Sequence, residues 1–443
     1  MGVESAVILP SVWLYLQMFH VDYWYLGLVL SVYSAVPVAS AIVVGRLADG
    51  SVVNILLLGI VLNLFEVVGN IIYSLHFHVS MPLLGRLVAG VGDGYVSAIY
   101  GVLARATTEN ERTRYFAVIK GSNLLGIAFG PALNFFLKDF NFYIGRWHID
   151  YRTSPGFFMA ITWAFFAGIM YLLAYDLSDE VNQYESVSSE LCGEKLAKQR
   201  QLREAYGIES SGDEHDATLS TEKTTDVVDH GKIVEKKAAR ETREAVTATF
   251  KNALVDIFSK LQVIVPLYAL FFSGILHTSL QAITPLVAAE RKLNWSETTV
   301  VTLFTTWGAE IIVIVFILWF LSPRIPDRVM LLMSAIFGIP ASASVFLLDS
   351  FPDKVLLPAV FLQGISLAAV VVIGRSMVSK HTNSENQATG QAIVTATTGT
   401  CNTVGPLIGS SLFTHEKILA TILTGSQILG LLLVILAFKK IKF

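Results

Sequence analysis

Charge is what this sequence has least of. Asp, Glu, Lys and Arg make up 15% of its 443 residues, and the mean hydropathy is +0.58. Even that charge is clustered. Residues 176–260 hold 30 of the 67 charged side chains, leaving 37 for the other 358 positions. A soluble domain carries about 25% charged residues, so the composition excludes one and indicates a polytopic membrane protein. The formal net charge is −3 and no basic run of the kind that holds nucleic acid is present, so no nucleic-acid partner is expected. There are two cysteines, Cys192 in a polar stretch and Cys401 in an apolar one, which excludes a disulfide framework. No Ser/His/Asp or Cys/His grouping marks a nucleophile. His76 and His78 stand near a turn without further metal ligands. Neither an enzyme nor a metal or other cofactor is expected. Gly90-Val-Gly92-Asp-Gly94 looks like a dinucleotide loop, but the third glycine of that fingerprint would fall at Tyr95, and no strand precedes it.

Long apolar runs are abundant. A spanning helix needs about 20 mostly apolar residues. That template predicts twelve spans, near 2–18, 24–45, 53–75, 83–104, 115–137, 155–175, 261–288, 299–321, 329–349, 355–379, 388–414 and 417–438. The first is short and lacks a polar lead-in, so further residues before Met1 are expected in the protein or its relatives. Residues 176–260 read as a charged, largely disordered cytosolic linker. Its end, Glu235 to Phe258, is patterned as a surface helix. The predicted organisation is a six-helix bundle over 1–175, the linker over 176–260, and a second six-helix bundle over 261–443. An internal repeat supports the division: Asp49 and Asp327, Glu111 and Glu385, and Pro131 and Pro406 lie 278, 274 and 275 positions apart. The fold class is therefore an all-α membrane protein of twelve transmembrane helices in two six-helix pseudo-repeats.

Lys and Arg in short loops set the orientation. Eleven lie on the linker's side and seven on the other, and the linker adds twelve. Both termini and the linker are expected in the cytosol. The sequon Asn294-Trp295-Ser296 then falls on the lumenal side, as a glycosylation acceptor requires. The aromatic-rich stretch 139–154 reads as an interfacial loop.

Ionisable groups inside apolar segments normally face a bundle interior or a water-filled path. Arg86 and Asp93 are seven apart on one face. Asn63, Glu66 and Asn70 form a second polar stripe. Glu310 sits mid-way along segment eight, and His277 and Gln281 are one turn apart in segment seven. Arg86, Asp93, Glu66, Glu310, His277 and Gln281 are the transport-path candidates. Each has a plainer structural reading: helix-to-helix bonding for Glu66 and Glu310, a structural pair for Arg86 and Asp93, a satisfied core histidine for His277. Glu4, Lys120 and Arg375 lie near helix ends, where snorkelling is expected. Gly90 and Gly94, and Gly126 and Gly130, put small residues on one helix face, where a neighbour can approach closely. Pro131 and Pro406 are expected to bend their helices.

The turn Gly45-Arg46-Leu47-Ala48-Asp49-Gly50, then Arg86 with Gly90, Gly92 and Gly94, then Gly126, Gly130 and Pro131, in that order resemble the motifs of the major facilitator superfamily. Gly405 and Pro406 repeat the last in the second half. The usual basic continuation of the first motif is replaced by Ser51-Val52-Val53-Asn54. The resemblance implies the two-lobed transporter fold. Short segments (Ile8 to Gln17, Asp22 to Ser34, Thr108 to Thr113) resemble a lysosomal member of that superfamily, which implies an endolysosomal membrane and conduction of an anion such as chloride, or another small-solute flux. Expected partners are the lipid bilayer, a small molecule or ion, and sorting adaptors on the linker, where Tyr184-Glu-Ser-Val187 has the form of a tyrosine-based signal. The alternatives are a proton-coupled exporter of an organic solute and a non-transporting receptor or scaffold.

Overall fold

A computed structural model describes residues 2–49, 55–107, 109–173, 258–290, 295–321, 324–381 and 387–438. Almost all of them are helical. The first half contains α1 (Gly2–Val7), α2 (Val12–Gln17), α3 (Tyr23–Asp49), α4 (Ile55–Ser74), α5 (Ser80–Asp93), α6 (Tyr95–Ala106), α7 (Glu109–Phe129), α8 (Asn134–Leu137) and α9 (Ser154–Leu173). The second contains α10 (Leu261–Glu290), α11 (Glu297–Leu321), α12 (Asp327–Ala343), α13 (Pro352–His381), α14 (Gln387–Ser411) and α15 (Glu416–Ala437). Eight helices among the described residues are long and apolar enough to cross a membrane by themselves. The other four predicted spans are α1 with α2, α5 with α6, α7 with the turns after it, and α14, which is rich in Thr and Gly.

Local chemistry explains the interruptions. Pro10 has no N–H for a helical bond, so segment one breaks into turns between Val7 and Val12. Segment four breaks at Gly94, the last of three alternating glycines, each a poor helix former. Pro131 does more than bend segment five. It ends α7, opens a 3-10 turn over Pro131–Leu133, and a single helical turn, α8, follows. Pro406, in contrast, lies inside α14. The polar stretch between the fourth and fifth predicted spans is helical from Glu109 on. The predicted interfacial loop holds a two-stranded hairpin, β1 (Phe142–Ile144) and β2 (Trp147–Ile149), paired Ile144 to Trp147 around Gly145-Arg146. Gly145 has a φ of 62°, which a two-residue hairpin turn requires. The Trp147 indole donates to the Ser74 carbonyl at the end of α4, 2.9 Å away.

Packing repeats between the halves. α4 lies on α5 and α9, as α12 lies on α13 and α15; α3 lies on α5, as α11 lies on α13. Across the halves, α3 packs along α14 and α7 against α11. Glycines permit these contacts. A Cβ at Gly126 would stand 2.9 Å from the Val3 nitrogen of α1, and one at Gly130 2.8 Å from the Val3 carbonyl. A Cβ on Gly308 of α11 would stand 2.8 Å from the Ala128 backbone of α7, and one on Gly27 of α3 2.6 Å from the Pro406 carbonyl of α14. A Cβ on Gly45 would meet nothing within 4 Å among the described residues. Asp49 is the last residue of α3. The linker through residue 257 with its predicted surface helix and Tyr184 signal, the sequon at Asn294, and Glu385 lie outside the described residues.

α4 and α5 cross through Gly69 and Gly85; a Cβ at Gly85 would lie 2.5 Å from the Tyr73 nitrogen and 2.6 Å from the Gly69 carbonyl. Backbone cannot yield as a flexible side chain can, so Gly85→Val is expected to cost about 1–3 kcal/mol through overpacking. Gly425→Ala, where nothing lies within 4 Å, is the control. Thermal melts of the two purified variants in detergent check the difference; equal melting would contradict it.

Candidate functional site

Five helices of the first half bring their polar residues to one place. Glu4 of α1 is wholly buried, and its carboxylate accepts from Asn70 Nδ2 of α4 at 2.7 Å and from Trp163 Nε1 of α9 at 2.6 Å. Arg86 of α5 is 2% exposed. Its Nη1 stands 3.6 Å from Glu4 Oε1, and its Cζ lies 3.5 Å from the ring centroid of Tyr33 on α3. That stacking is a cation–π contact, stronger when desolvated. Glu66 of α4 is fully buried, its side chain against Gly92 of α5, and Asp93 is the last residue of α5. The cluster thus sets one carboxylate, that of Glu4, against the Arg86 guanidinium.

Two expectations are corrected here. Arg86 forms its ion pair with Glu4, not with Asp93, because α1 comes against α7 through Gly126 and Gly130 and carries Glu4 into the bundle. Glu4 therefore does not snorkel at a helix end. Its depth was readable from the repeat, since it lies 273 positions before His277, an interior residue of segment seven. Asn63, at the end of the predicted stripe, donates to Met170 Sδ at 2.9 Å and bonds α4 to α9. The stripe is partly helix bonding and partly cluster.

A second cluster lies in the other half. His277 Nδ1 of α10 donates to Gln363 Oε1 of α13 at 2.8 Å, and the Gln363 amide donates to the Ser273 carbonyl at 3.4 Å. The His277 ring meets Trp307 of α11 edge-on, 4.8 Å between centroids. His277 is thus a bonded core histidine, with a partner on α13 that spacing along α10 could not reveal. Gln281 is half-buried one turn further on and takes no part in that contact. Glu310 lies one turn below Trp307, its carboxyl group against the backbone of Gly364. Ser273, Ser334 and Ser366 join α10, α12 and α13 through hydroxyls 3.2 and 3.3 Å apart. The transport-path candidates therefore fall into two groups, Glu66, Arg86 and Asp93 in one half, His277 and Glu310 in the other. The described His, Cys, Asp and Glu residues form no group able to hold a metal ion.

The Major Facilitator Superfamily model matches residues 1–357, and again 266–442. The chain belongs to the major facilitator superfamily. It is an integral, multi-pass membrane protein, and family and fold point to a transporter of a small solute rather than an enzyme. No curated protein matches it. Solved structures that share the fold include a POT family transporter in complex with a thioalcohol-conjugated peptide, with a TM-score of 0.62 at 14% identity, covering 100% of this chain and 93% of that one. Another is a bacterial homolog of the human lysosomal transporter Spinster, inward-facing and unoccupied (TM-score 0.62, 13% identity, 98% and 92% covered). A third is the nucleoside transporter NupG (0.62, 11%, 99% and 99%). Of the superfamily motif residues, Gly90 faces Val36 and Gly94 faces Ser40, both on α3, while Gly405 faces Thr278 and Ile275 of α10.

Removing one member of a buried ion pair leaves the other uncompensated, at about 3–5 kcal/mol. Glu4→Ala is expected to lower the melting temperature sharply. The double variant Glu4→Ala with Arg86→Met is expected to recover much of the loss, because no orphan charge remains. A thermal double-mutant cycle measures this, and strictly additive losses would show that the two side chains do not act as a pair.

Proposed function

We propose that this superfamily member moves a small inorganic anion, chloride first, across the endolysosomal membrane, with both termini and the 176–260 linker in the cytosol. The anion reading is carried by Arg86. The guanidinium is almost fully buried, yet its Nε and Nη1 have no hydrogen-bond acceptor among the described residues, and the Glu4 oxygen at 3.6 Å is too far for one. Glu4 is already satisfied by Asn70 and Trp163. A buried cation with unfilled donors is a ready anion site, since each filled donor replaces a desolvation loss with a charge-assisted bond. The endolysosomal assignment rests on the short segments Ile8 to Gln17, Asp22 to Ser34 and Thr108 to Thr113, which resemble major facilitator superfamily domain-containing protein 8, a lysosomal protein. Asn294 would carry lumenal glycan, and the linker would meet sorting adaptors.

A second reading has its own observation. Glu66, fully buried with neither carboxyl oxygen hydrogen-bonded among the described residues, suits a proton-coupled exporter of a small organic solute, with Glu66 and Asp93 passing protons.

Arg86→Gln in proteoliposomes is expected to lower isotopic chloride flux by about tenfold or more, the loss of one charge-assisted contact, with Arg86→Lys intermediate. Unchanged flux in Arg86→Gln sinks the anion site. Wild-type flux of an organic solute that requires a pH gradient, with none of chloride, would favour the second reading.

A further inference from the structure

The duplicated halves can be compared position by position along α3 and α11, which correspond at an offset of 274. Kept features set the register. Tyr33 beneath Arg86 answers to Trp307 beside His277, and the glycine crossing of Gly90 with α3 answers to that of Gly364 with α11. In that register Trp24, Leu28 and Val32 of α3 correspond to Thr298, Thr302 and Thr306 of α11. An aromatic and two aliphatic side chains in one half are thus replaced by threonine in the other. The threonines are one turn apart and form a single stripe. All three are exposed.

The stripe runs along a groove between α11 and α13. A cavity of about 380 Å³ lies there, lined by Trp295, Thr298, Thr302, Leu303 and Thr306 with Leu357 of α13. It opens to the bilayer, because the same face of α11 goes on with exposed Val313, Phe316 and Phe320, and α13 with exposed Phe361. Phenylalanine fills that face further along; threonine leaves it hollow. From Thr298 to Thr306 the helix rises about 12 Å, against about 15 Å of hydrocarbon in one leaflet. The hollow is therefore about as long as the acyl part of one leaflet is deep. Its wall also suits an acyl chain. The Thr302 hydroxyl donates to the Thr298 carbonyl at 2.7 Å, and the Thr306 hydroxyl to the Thr302 carbonyl at 2.8 Å. Both donors are spent inside the helix, so neither needs a partner from the groove.

The mouth of the groove is charged. Lys138, directly after α8, donates from Nζ to Thr298 Oγ1 at 3.1 Å. An ammonium carries three donors, and this bond uses one. Glu297 and Asp139, the chain neighbours of Thr298 and Lys138, are exposed, so the mouth carries both signs. Trp295 stands beside it, as indoles do at the level of lipid headgroups. This combination matches the head of a zwitterionic phospholipid, with a phosphate for the lysine and an ammonium for the carboxylates. A sterol offers Lys138 no charge, and a net anionic lipid leaves the carboxylates opposed.

We propose that a zwitterionic glycerophospholipid is a resident ligand of this groove, its phosphate on Lys138 and one acyl chain along Thr298, Thr302 and Thr306. Lys138 belongs to the first half and the groove to the second, so the lipid ties the two halves together at that face of the membrane. This goes beyond the solute reading and does not depend on which solute moves.

The test uses the full chain, purified in detergent after reconstitution with phosphatidylcholine, and native mass spectrometry to count the lipid that stays bound. Wild type is expected to keep one phosphatidylcholine. Lys138→Gln is expected to weaken retention about tenfold or more, the loss of one charge-assisted contact. Thr302→Leu with Thr306→Phe, which fills the hollow with side chains of the kind found at Leu28 and Phe316, is expected to do the same. That double variant faces lipid, so it is expected to melt near wild type. Val313→Thr, further along the same face, is the control and is expected to keep the lipid. Equal retention by wild type, Lys138→Gln and the double variant overturns the proposal and leaves an ordinary annular lipid only. An equal loss in Val313→Thr overturns it too, as does preferred retention of phosphatidylglycerol or cholesterol when each is offered in equal amount.

Discussion

Arg86 in an apolar helix is the constraint on which the first half depends. A guanidinium cannot sit in hydrocarbon without a counter-charge, and the surrounding helices are arranged around that requirement. α1 brings Glu4, α3 brings the Tyr33 ring, and α4 and α9 bring the Asn70 amide and the Trp163 indole that hold Glu4 in place. The glycines follow from the same demand. Gly126 and Gly130 let α1 lie close on α7, and without that approach Glu4 could not reach the depth of Arg86. Charge and close packing are thus one design.

The second half meets a similar geometry with neutral chemistry. Histidine and glutamine bond across α10 and α13 where glutamate and arginine pair across α1 and α5. A neutral pair carries a far smaller desolvation penalty, so this half needs no surrounding shell of donors like the Asn70 and Trp163 pair. The asymmetry of a duplicated fold is informative in itself. Where both halves keep a feature, as with the glycines at 90 and 364, packing accounts for it. Where they differ, as at Leu28 and Thr302, packing does not.

Much of this was legible in the sequence. Twelve apolar runs, the gap in composition at 176–260 and the repeat offset give the fold class, and Arg86, Glu66 and His277 stand out as polar residues in apolar surroundings. Partners were not legible. Periodicity reports which face a residue shares along its own helix, so it paired Arg86 with Asp93 and His277 with Gln281. The partners found, Glu4 and Gln363, come from other helices, 82 and 86 positions away. Breaks were legible only in part: Pro131 and Pro406 were both expected to bend their helices and Pro10 was passed over, because whether a proline bends or ends a helix depends on what packs beside it, as Pro406 inside α14 illustrates. The hairpin at 142–149 escaped notice because three-residue strands leave no periodic signal.

The contacts between α2 and α10 have a mechanical consequence. Trp13 and Gln17, one turn apart, both donate to a single oxygen of Glu290, at 3.3 and 2.8 Å, and the Gln17 bond is open to solvent. Further in, Ser31 on α3 donates to the Thr403 carbonyl of α14, away from bulk water. Water can replace the outer bonds as soon as they lengthen, whereas the inner one has no substitute until a channel of solvent reaches it. Separation of the lobes along this seam should therefore unzip from the rim inward, with Glu290 as the first tooth to let go.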